Sequence, residues 1–352
     1  VNYRELSAIL KSRSPLVSFK SVAPTRIDLA GGTLDIWPVY LLLDRPSTVN
    51  VAIDVMTQVV VEDSGSSAYQ VDDETTGRTL SAESGDALAG MAGAEIAGRL
   101  ISFFAPHAPC RLRTKSFAPP QSGLGASSSL GIAIAGGLNA VTGFRYGGET
   151  LVEIVKNVEA QVLGAMTGSQ DHIPALYGGA ACLWWGVDGV RREALPVDTA
   201  QFESHFLLAY THQPHRSGAN NWEVVKRFLD GDRETRGGFE KIAEVSRAMK
   251  GALTASDFGL MAELLGEEWN ARRKLAPAVG SPELDALLSG ARRAGALSGK
   301  ACGAGGGGCL VLAVPPEKRD AVSQAVERAG GSVIPFKVSK KGLHFDSTGG
   351  AV

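Results

Sequence analysis

Residues 116–144 contain no Asp, Glu, Lys or Arg, and no other segment constrains the fold as tightly. The stretch opens Ser116-Phe117-Ala118-Pro119-Pro120 and passes through Gln121-Ser122-Gly123-Leu124-Gly125-Ala126-Ser127-Ser128-Ser129 to an apolar run from Leu130 to Val141. That run is too short to cross a bilayer, which takes about 20 apolar residues. It reads instead as a helix from about Ser127 to Val141, packed in a globular core behind a glycine and serine loop. The prolines stop strand pairing, the glycines allow a tight turn, and hydroxyl residues open the helix. First-turn amides lack partners and carry roughly half a positive charge, so the segment has the architecture of an anion site. An acidic side chain there would repel a phosphate and a long one would block it, which accounts for the missing charge. The serines add donors and a candidate Mg²⁺ ligand.

Glycine totals 43 of 352 residues, well above the usual share of about 7%. It clusters at Gly31-Gly32, between Gly123 and Gly137, and from Gly303 to Gly308. Two familiar nucleotide loops fail on spacing. A Walker A loop needs Gly-Lys-Ser/Thr, and no Lys occurs between Lys115 and Lys156. A GxGxxG pattern is present at Gly303-Ala304-Gly305-Gly306-Gly307-Gly308, but a dinucleotide fingerprint follows a strand and opens a helix. Here the expected order is helix, glycine run, then the strand Cys309 to Val314. The run is expected to pack its backbone, Gly305 and Gly306 included, against a nucleotide or substrate held by the first half of the chain. A structural tight turn is the alternative.

The length exceeds one ordinary hydrophobic core, which favours two lobes with a cleft between them. Lys plus Arg is 35 against 37 for Asp plus Glu, without basic runs, so neither nucleic acid nor a membrane surface is an expected partner. Cys110, Cys182, Cys302 and Cys309 form no CxxC pair and read as free thiols of a reducing, cytoplasmic setting. The stretch Val1 to Lys20 is broken by Arg4, Glu5, Lys11 and Arg13, so no secretory apolar core is expected in it.

Periodicity predicts a helix over Tyr3 to Ser12 and strands at Val17 to Ala23 and Val49 to Val61, then a helix over Gly90 to Phe104 and a strand at Cys110 to Ser116. A helix over Glu149 to Leu163 follows, with strands near Ala180 to Trp185 and Phe206 to Tyr210. Helices fill Asn221 to Arg273 and Pro282 to Ala294. A helix over Lys318 to Ala329 and a strand over Ser332 to Val338 end the chain. Without a regular βαβ rhythm this is an α+β fold. The lobe boundary is expected near Asp188 to Ala200, giving an ATP-binding lobe over 1–190 and a second lobe over 191–352.

Three ordered segments resemble the GHMP kinases, which phosphorylate small hydroxylated metabolites. They are Ala23-Pro24-Thr25-Arg26-Ile27-Asp28-Leu29-Ala30-Gly31-Gly32-Thr33-Leu34-Asp35, the Gly123 to Ser129 loop, and Gly299-Lys300-Ala301-Cys302 running into the glycine cluster. The resemblance implies a two-lobed fold with the active site in the cleft. It makes Pro120 and Ser122 to Ser129, including Gly123, Leu124, Gly125, Ala126 and Ser128, a phosphate loop for ATP. Ser127 would be the Mg²⁺-linked hydroxyl and Glu159 the acidic Mg²⁺ ligand. Gly168-Ser169-Gln170-Asp171-His172 is similar to the family's Gly-x-x-Asp-Gln loop, with His172 in place of Gln. Asp171 would then accept or orient the proton of the attacking hydroxyl, and Arg26 would steady the phosphoryl group in flight.

The first motif is closer to the Gly-Gly-Gly-Thr-Asp of heptose-phosphate and fucose kinases than to the Gly-Glu-His of galactokinase or mevalonate kinase. By that resemblance Asp35 sits at the sugar-hydroxyl position, where a carboxylate takes two hydrogen bonds. Gly31, Gly32, Thr33 and His172 fall in the same substrate region, and Arg216 is a candidate contact for a phosphate already on the sugar. His212 and His215 lack a third metal ligand at recognisable spacing. The expected activity is ATP- and Mg²⁺-dependent phosphorylation of a sugar or sugar phosphate, at the anomeric hydroxyl of a heptose phosphate or hexose. A mevalonate- or polyol-type kinase and a non-catalytic ATP and sugar sensor are the alternatives. A homodimer is compatible with the sequence, which does not fix the oligomeric state.

Overall fold

In the computed structural model, residues 18–213, 221–276 and 279–346 are described. The helix expected at Tyr3 to Ser12 and the residues Pro214, His215 and Arg216 lie outside them. Strand β1 (Phe19–Ala30) and the 17-residue β2 (Ser47–Asp63) form an antiparallel ribbon at the centre. Then come β3 (Tyr69–Asp73), β4 (Arg78–Ala82), α1 (Gly85–Ala89), α2 (Glu95–Phe104) and β5 (Cys110–Ser116). The charge-free segment supplies α3 (Ala126–Val141), followed by α4 (Gly148–Leu163), α5 (His172–Tyr177), β6 (Ala180–Gly186) and β7 (Gly189–Leu195).

The second half adds α6 (Thr199–His205), β8 (Phe206–Tyr210), α7 (Asn221–Leu229), α8 (Arg233–Ala255), α9 (Phe258–Leu275) and α10 (Pro282–Arg293). It ends with β9 (Ser298–Ala301), β10 (Cys309–Ala313), α11 (Arg319–Arg328), β11 (Ser332–Ile334) and β12 (His344–Asp346). The first sheet has eight strands, in the order β12-β1-β2-β5-β3-β4 with β6 and β7 branching from β2. A four-stranded sheet runs β11-β8-β10-β9. The fold is α+β, as the missing βαβ rhythm predicts.

Period 2 along β1 sends its residues two ways. Ile27 and Leu29 are buried in a core shared with β2, α8, α9 and β10, while Arg26 and Asp28 lie on the opposite face, also buried. The register slips between Pro24 and Thr25, where proline cannot donate to the ladder. Strand β12 covers only Lys20 to Val22, and beyond it the Arg26 amide donates to the Leu124 carbonyl at 3.1 Å. The glycine loop thus takes over as the neighbour of β1. Ser21 and Ser129 fasten α3 to the strand, through Ser21 Oγ on the Ala133 carbonyl at 2.6 Å and Ser129 Oγ on the Ala23 carbonyl at 3.1 Å.

One local expectation changes. The glycine run is preceded by β9 rather than a helix, so it is the loop of an antiparallel hairpin between β9 and β10. Strand β9 is short and wholly buried, which leaves no alternation to read. A cut between 190 and 191 would fall inside the β6–β7 hairpin, whose outer strand carries Arg191, Arg192 and Glu193 and looks in sequence like a solvated face. Strand β12 also returns the end of the chain to the first sheet.

Candidate active site

A cavity of about 270 Å³ opens where the start of α3, β1, the 166–171 segment and the hairpin loop converge. From the first half of the chain it is lined by Arg26, Thr33, Asp35, Ser122, Gly123, Gly125, Ala126, Ser127, Ser128, Glu159 and Asp171. From the second half come Arg272, Gly303 and Ala304. Both halves therefore build one wall.

One end of the cavity is the start of α3. Gly123 and Gly125 have φ of +73° and +72°, a conformation that costs other residues strain. A Cβ on Gly123 would lie 2.3 Å from the Cys302 carbonyl, so the loop and the third motif touch backbone to backbone. Gly125 is the N-cap and offers no side chain to the first-turn amides, and the Ser129 amide donates to the Gly125 carbonyl at 2.9 Å. Ser122 Oγ is buried without a hydrogen-bond partner among the described residues. Uncapped amides and an orphaned buried hydroxyl fit a phosphate chain.

The donor set beside it fits a hard divalent cation. Ser128 Oγ lies 3.1 and 3.4 Å from the two Glu159 oxygens, and the Ser127 hydroxyl also bonds this carboxylate. His172 Nε2 is 3.0 Å away. Burial pushes the Glu159 carboxyl up, but His172 and the two hydroxyls outweigh it and hold the group below the ordinary carboxylate value. Mg²⁺ takes few protein oxygens and completes its shell with phosphate and water. Glu159 with Ser127 is adequate for that, although no group of three or more His, Cys, Asp or Glu is placed to hold a metal among the described residues.

On the cavity wall Arg26 Nε donates to Asp171 Oδ1 at 2.9 Å, Nη2 is 2.6 Å from the same oxygen, and Nη1 donates to the Gly123 carbonyl at 2.5 Å. Burial disfavours the Arg26 charge, yet Asp171 and Asp28 outweigh it and the guanidinium is held more firmly protonated than usual. Next to this pair Asp35 accepts from the Gln170 amide at 3.0 Å. Burial pushes the Asp35 carboxyl up to about 6, against the pull of that amide and with help from Asp171 and Asp28. Asn50, which the sequence reading missed, donates to the Gln170 carbonyl at 3.0 Å and fixes the loop from below.

Several expected ligands have structural positions instead. His172 is fully buried and touches Glu159 rather than the cavity, so it positions the carboxylate. Leu124 is core, the Pro120 carbonyl accepts from Tyr210, and Ser129 ties α3 to β1. Gly31 packs against the Ser47 carbonyl and Gly32 against Asp28 and Arg272, so neither lines the cavity. Gly305 lies on the backbone of Val279 and Gly306 donates to its carbonyl at 2.8 Å, again outside the lining. Their neighbours Gly303 and Ala304 reach it.

Two family models match the chain, "GHMP kinases N terminal domain" over residues 92–179 and "GHMP kinases C terminal" over 249–332. The chain belongs to the GHMP kinases. Among relatives of this GHMP kinase, the D-glycero-alpha-D-manno-heptose 7-phosphate kinase of Campylobacter jejuni is 28% identical over 236 residues, 66% of this chain and 69% of that one. The mevalonate kinase of Thermococcus sibiricus is 29% identical over 239 residues, 65% and 66% of the two chains. In fold the chain is similar to a D-glycero-D-manno-heptose 1-phosphate kinase from Bacteroides thetaiotaomicron, with TM-score 0.75 and 22% identity over 94% of this chain and all of that one. Lactococcus lactis galactokinase complexed with galactose gives 0.74 and 18% over 97% and 98%.

Proposed function

We propose that this protein is an ATP-dependent small-molecule kinase that transfers the γ-phosphoryl group to a hydroxyl of a sugar or sugar phosphate, the anomeric hydroxyl of a heptose 7-phosphate- or fucose-type acceptor. The observation that carries the reading is the Arg26–Asp171 pair facing the same cavity as the uncapped start of α3 and Glu159. The heptose kinase likeness and the Thr33 and Asp35 side chains on the cavity wall support a sugar acceptor.

Phosphoryl transfer leaves little covalent work to a protein, so positioning and charge neutralisation dominate. The amides of Ala126, Ser127 and Ser128 with Ser122 Oγ would cradle the phosphate chain. Ser127 and Glu159 would hold Mg²⁺, which when bound draws negative charge off the phosphates. Asp171 accepts or orients the proton of the acceptor hydroxyl while its oxygen bonds to the γ-phosphorus and the bond to the β–γ bridging oxygen breaks. ADP leaves with that oxygen. Arg26 holds Asp171 in place and balances the charge gathering on the transferring group. Four buried free thiols are in keeping with a reducing, cytoplasmic setting.

The test is a coupled ADP-formation assay over sugars, sugar phosphates and mevalonate, with Mg²⁺ present and withheld. Turnover of a sugar or sugar phosphate, dependent on Mg²⁺, is the expected result. Preference for mevalonate, which the 29% identical mevalonate kinase favours, would replace the acceptor and keep the chemistry. Tight ATP and sugar binding without ADP formation would make the protein a sensor.

A further inference from the structure

We infer that Arg272, supplied from α9 in the second half of the chain, is an acceptor-binding residue that together with Thr33 grips a neutral hydroxyl of the acceptor. This rests on the kinase reading above. Arg272 lines the cavity beside Thr33 and Asp35, and its Nη1 donates to Thr33 Oγ1 at 3.0 Å. The guanidinium is built in from behind. Nε and Nη2 donate to Glu268 Oε1 at 3.0 and 2.5 Å, and Nη2 is 3.8 Å from Asp28 Oδ2. Lys300 Nζ bridges the same carboxylates, 3.0 Å from Glu268 and 3.4 Å from Asp28. All four charged side chains are buried.

Such a layer is poor at stabilising a fold, because desolvating four charges offsets most of their attraction. Its geometry is useful for aiming one side chain. Two further features point the same way. Thr33 has φ of +73°, a left-handed conformation that is strained for a β-branched residue, and strain of this kind gathers at binding sites. At Gly32 a Cβ would lie 2.4 Å from Asp28 Oδ2 and 2.5 Å from Arg272 Nη2, so the first motif closes directly onto the pair.

The hydrogen-bond inventory names the ligand chemistry. An arginine has five N–H donors, and three are spent on Glu268 and Thr33. Two remain, one on Nη2, which lies 3.8 Å from Asp28, and one on Nη1, the nitrogen bonded to Thr33. Thr33 Oγ1 already accepts from Arg272, so its own O–H is available to donate. Asp35 accepts. A ligand oxygen that accepts from Arg272 or Thr33 while its proton goes to Asp35 is a hydroxyl. Glu268 and Asp28 already balance the Arg272 charge, which suits a neutral group over a phosphate.

The experiment compares wild type with Arg272→Lys, Thr33→Gly and Thr33→Ser in the ADP-formation assay, using a phosphorylated and an unphosphorylated form of the best acceptor. Nucleotide affinity and melting temperature are measured alongside. Arg272→Lys should raise acceptor KM roughly 10- to 100-fold, for both forms alike, with nucleotide affinity within about twofold. Thr33→Gly keeps all four buried charges, removes only the acceptor of one Arg272 hydrogen bond and relieves the backbone, so it tests the site even if Arg272→Lys does not fold. It should raise acceptor KM roughly 5- to 10-fold without lowering the melting temperature, and Thr33→Ser should restore it. Unchanged acceptor KM in folded Thr33→Gly or Arg272→Lys overturns the inference and leaves the kinase reading standing. A loss confined to the phosphorylated acceptor overturns the hydroxyl assignment. Wild type that turns over no hydroxylated acceptor overturns both.

Discussion

The Arg26 guanidinium grips the Asp171 carboxylate across 145 positions of sequence, with Nε 2.9 Å and Nη2 2.6 Å from one oxygen. Arg26 also donates to the Gly123 carbonyl, so one buried side chain fixes the proposed proton acceptor relative to the phosphate loop. Strand β1 makes this possible because its outward residues are screened by the loop that pairs with it.

Asp171→Asn removes the acceptor of a proton while preserving the shape of the group. Turnover should fall roughly 10² to 10⁴-fold if the proton moves to this residue. Affinity for a fluorescent ATP analogue should stay within a few-fold. Unchanged turnover would remove Asp171 from the chemistry.

The neighbouring serines separate by function. Ser127→Ala takes away a hydroxyl that touches Glu159 at the cavity, so the Mg²⁺ concentration for half-maximal activity should rise several-fold with little change in melting. Ser129→Ala deletes the bond to the Ala23 carbonyl in the core and should cost about 1–3 kcal/mol of stability. Its turnover should remain near wild type. Mg²⁺ titrations and denaturant melts of both variants would expose a reversal of these assignments.

Asp35 sets an acid limb. Its ionised form offers both oxygens as acceptors while protonation turns one into a donor, and its carboxyl is pushed up to about 6, so acceptor kcat/KM should fall as pH drops through about 6. Stability runs the other way. A carboxyl raised in the folded state stabilises fully below its ordinary value near 3.8, and that stabilisation is lost as pH rises through about 6. Asp35→Asn should therefore gain roughly 1–3 kcal/mol at pH 7.5, gain nothing at pH 3.5, and lose acceptor affinity. Denaturation at the two pH values together with a pH–rate profile checks both signs.

Lys300→Met strips one cation from the buried layer and leaves Asp28 and Glu268 with Arg272 alone. Breaking such a network by removing one partner typically costs about 3–5 kcal/mol. Urea unfolding should show a loss of that size, and a near-neutral result would mean that the layer tolerates a net negative charge. Lys300, Arg272 and Arg26 hold the Asp28 carboxyl below its ordinary value against the effect of burial. Losing Lys300 should thus raise the pH at which acid unfolding begins.

The charge-free stretch announced its own local structure, because a missing charge, a proline stop and a glycine turn act through neighbours in sequence. The helix start, the burial of α3 and the failure of both familiar nucleotide loops follow from local chemistry. Strand β7 was hidden because an edge strand with charged residues has the composition of a loop. The β9–β10 hairpin was hidden because four buried residues carry no period. Asp28 and Lys300 stood inside the quoted motifs without an assigned role, and no local signal marks them, because β1 also carries Lys20 and Arg26 and β9 is only four residues long. Gly31, Gly32, Gly305 and Gly306 looked like ligand contacts because lack of a Cβ serves backbone packing and ligand approach equally.

Sequence alone determined the uncapped start of α3, the α+β class and the family, since each depends on residues within a few positions of one another or on their order. Tertiary structure decided which side chains meet: Arg26 with Asp171, His172 with Glu159, and Arg272 with Thr33 across the two halves. Those pairings arise from strand register, from where α3 lies against β1, and from which charges burial forces together. None of these is encoded in the spacing of residues along the chain.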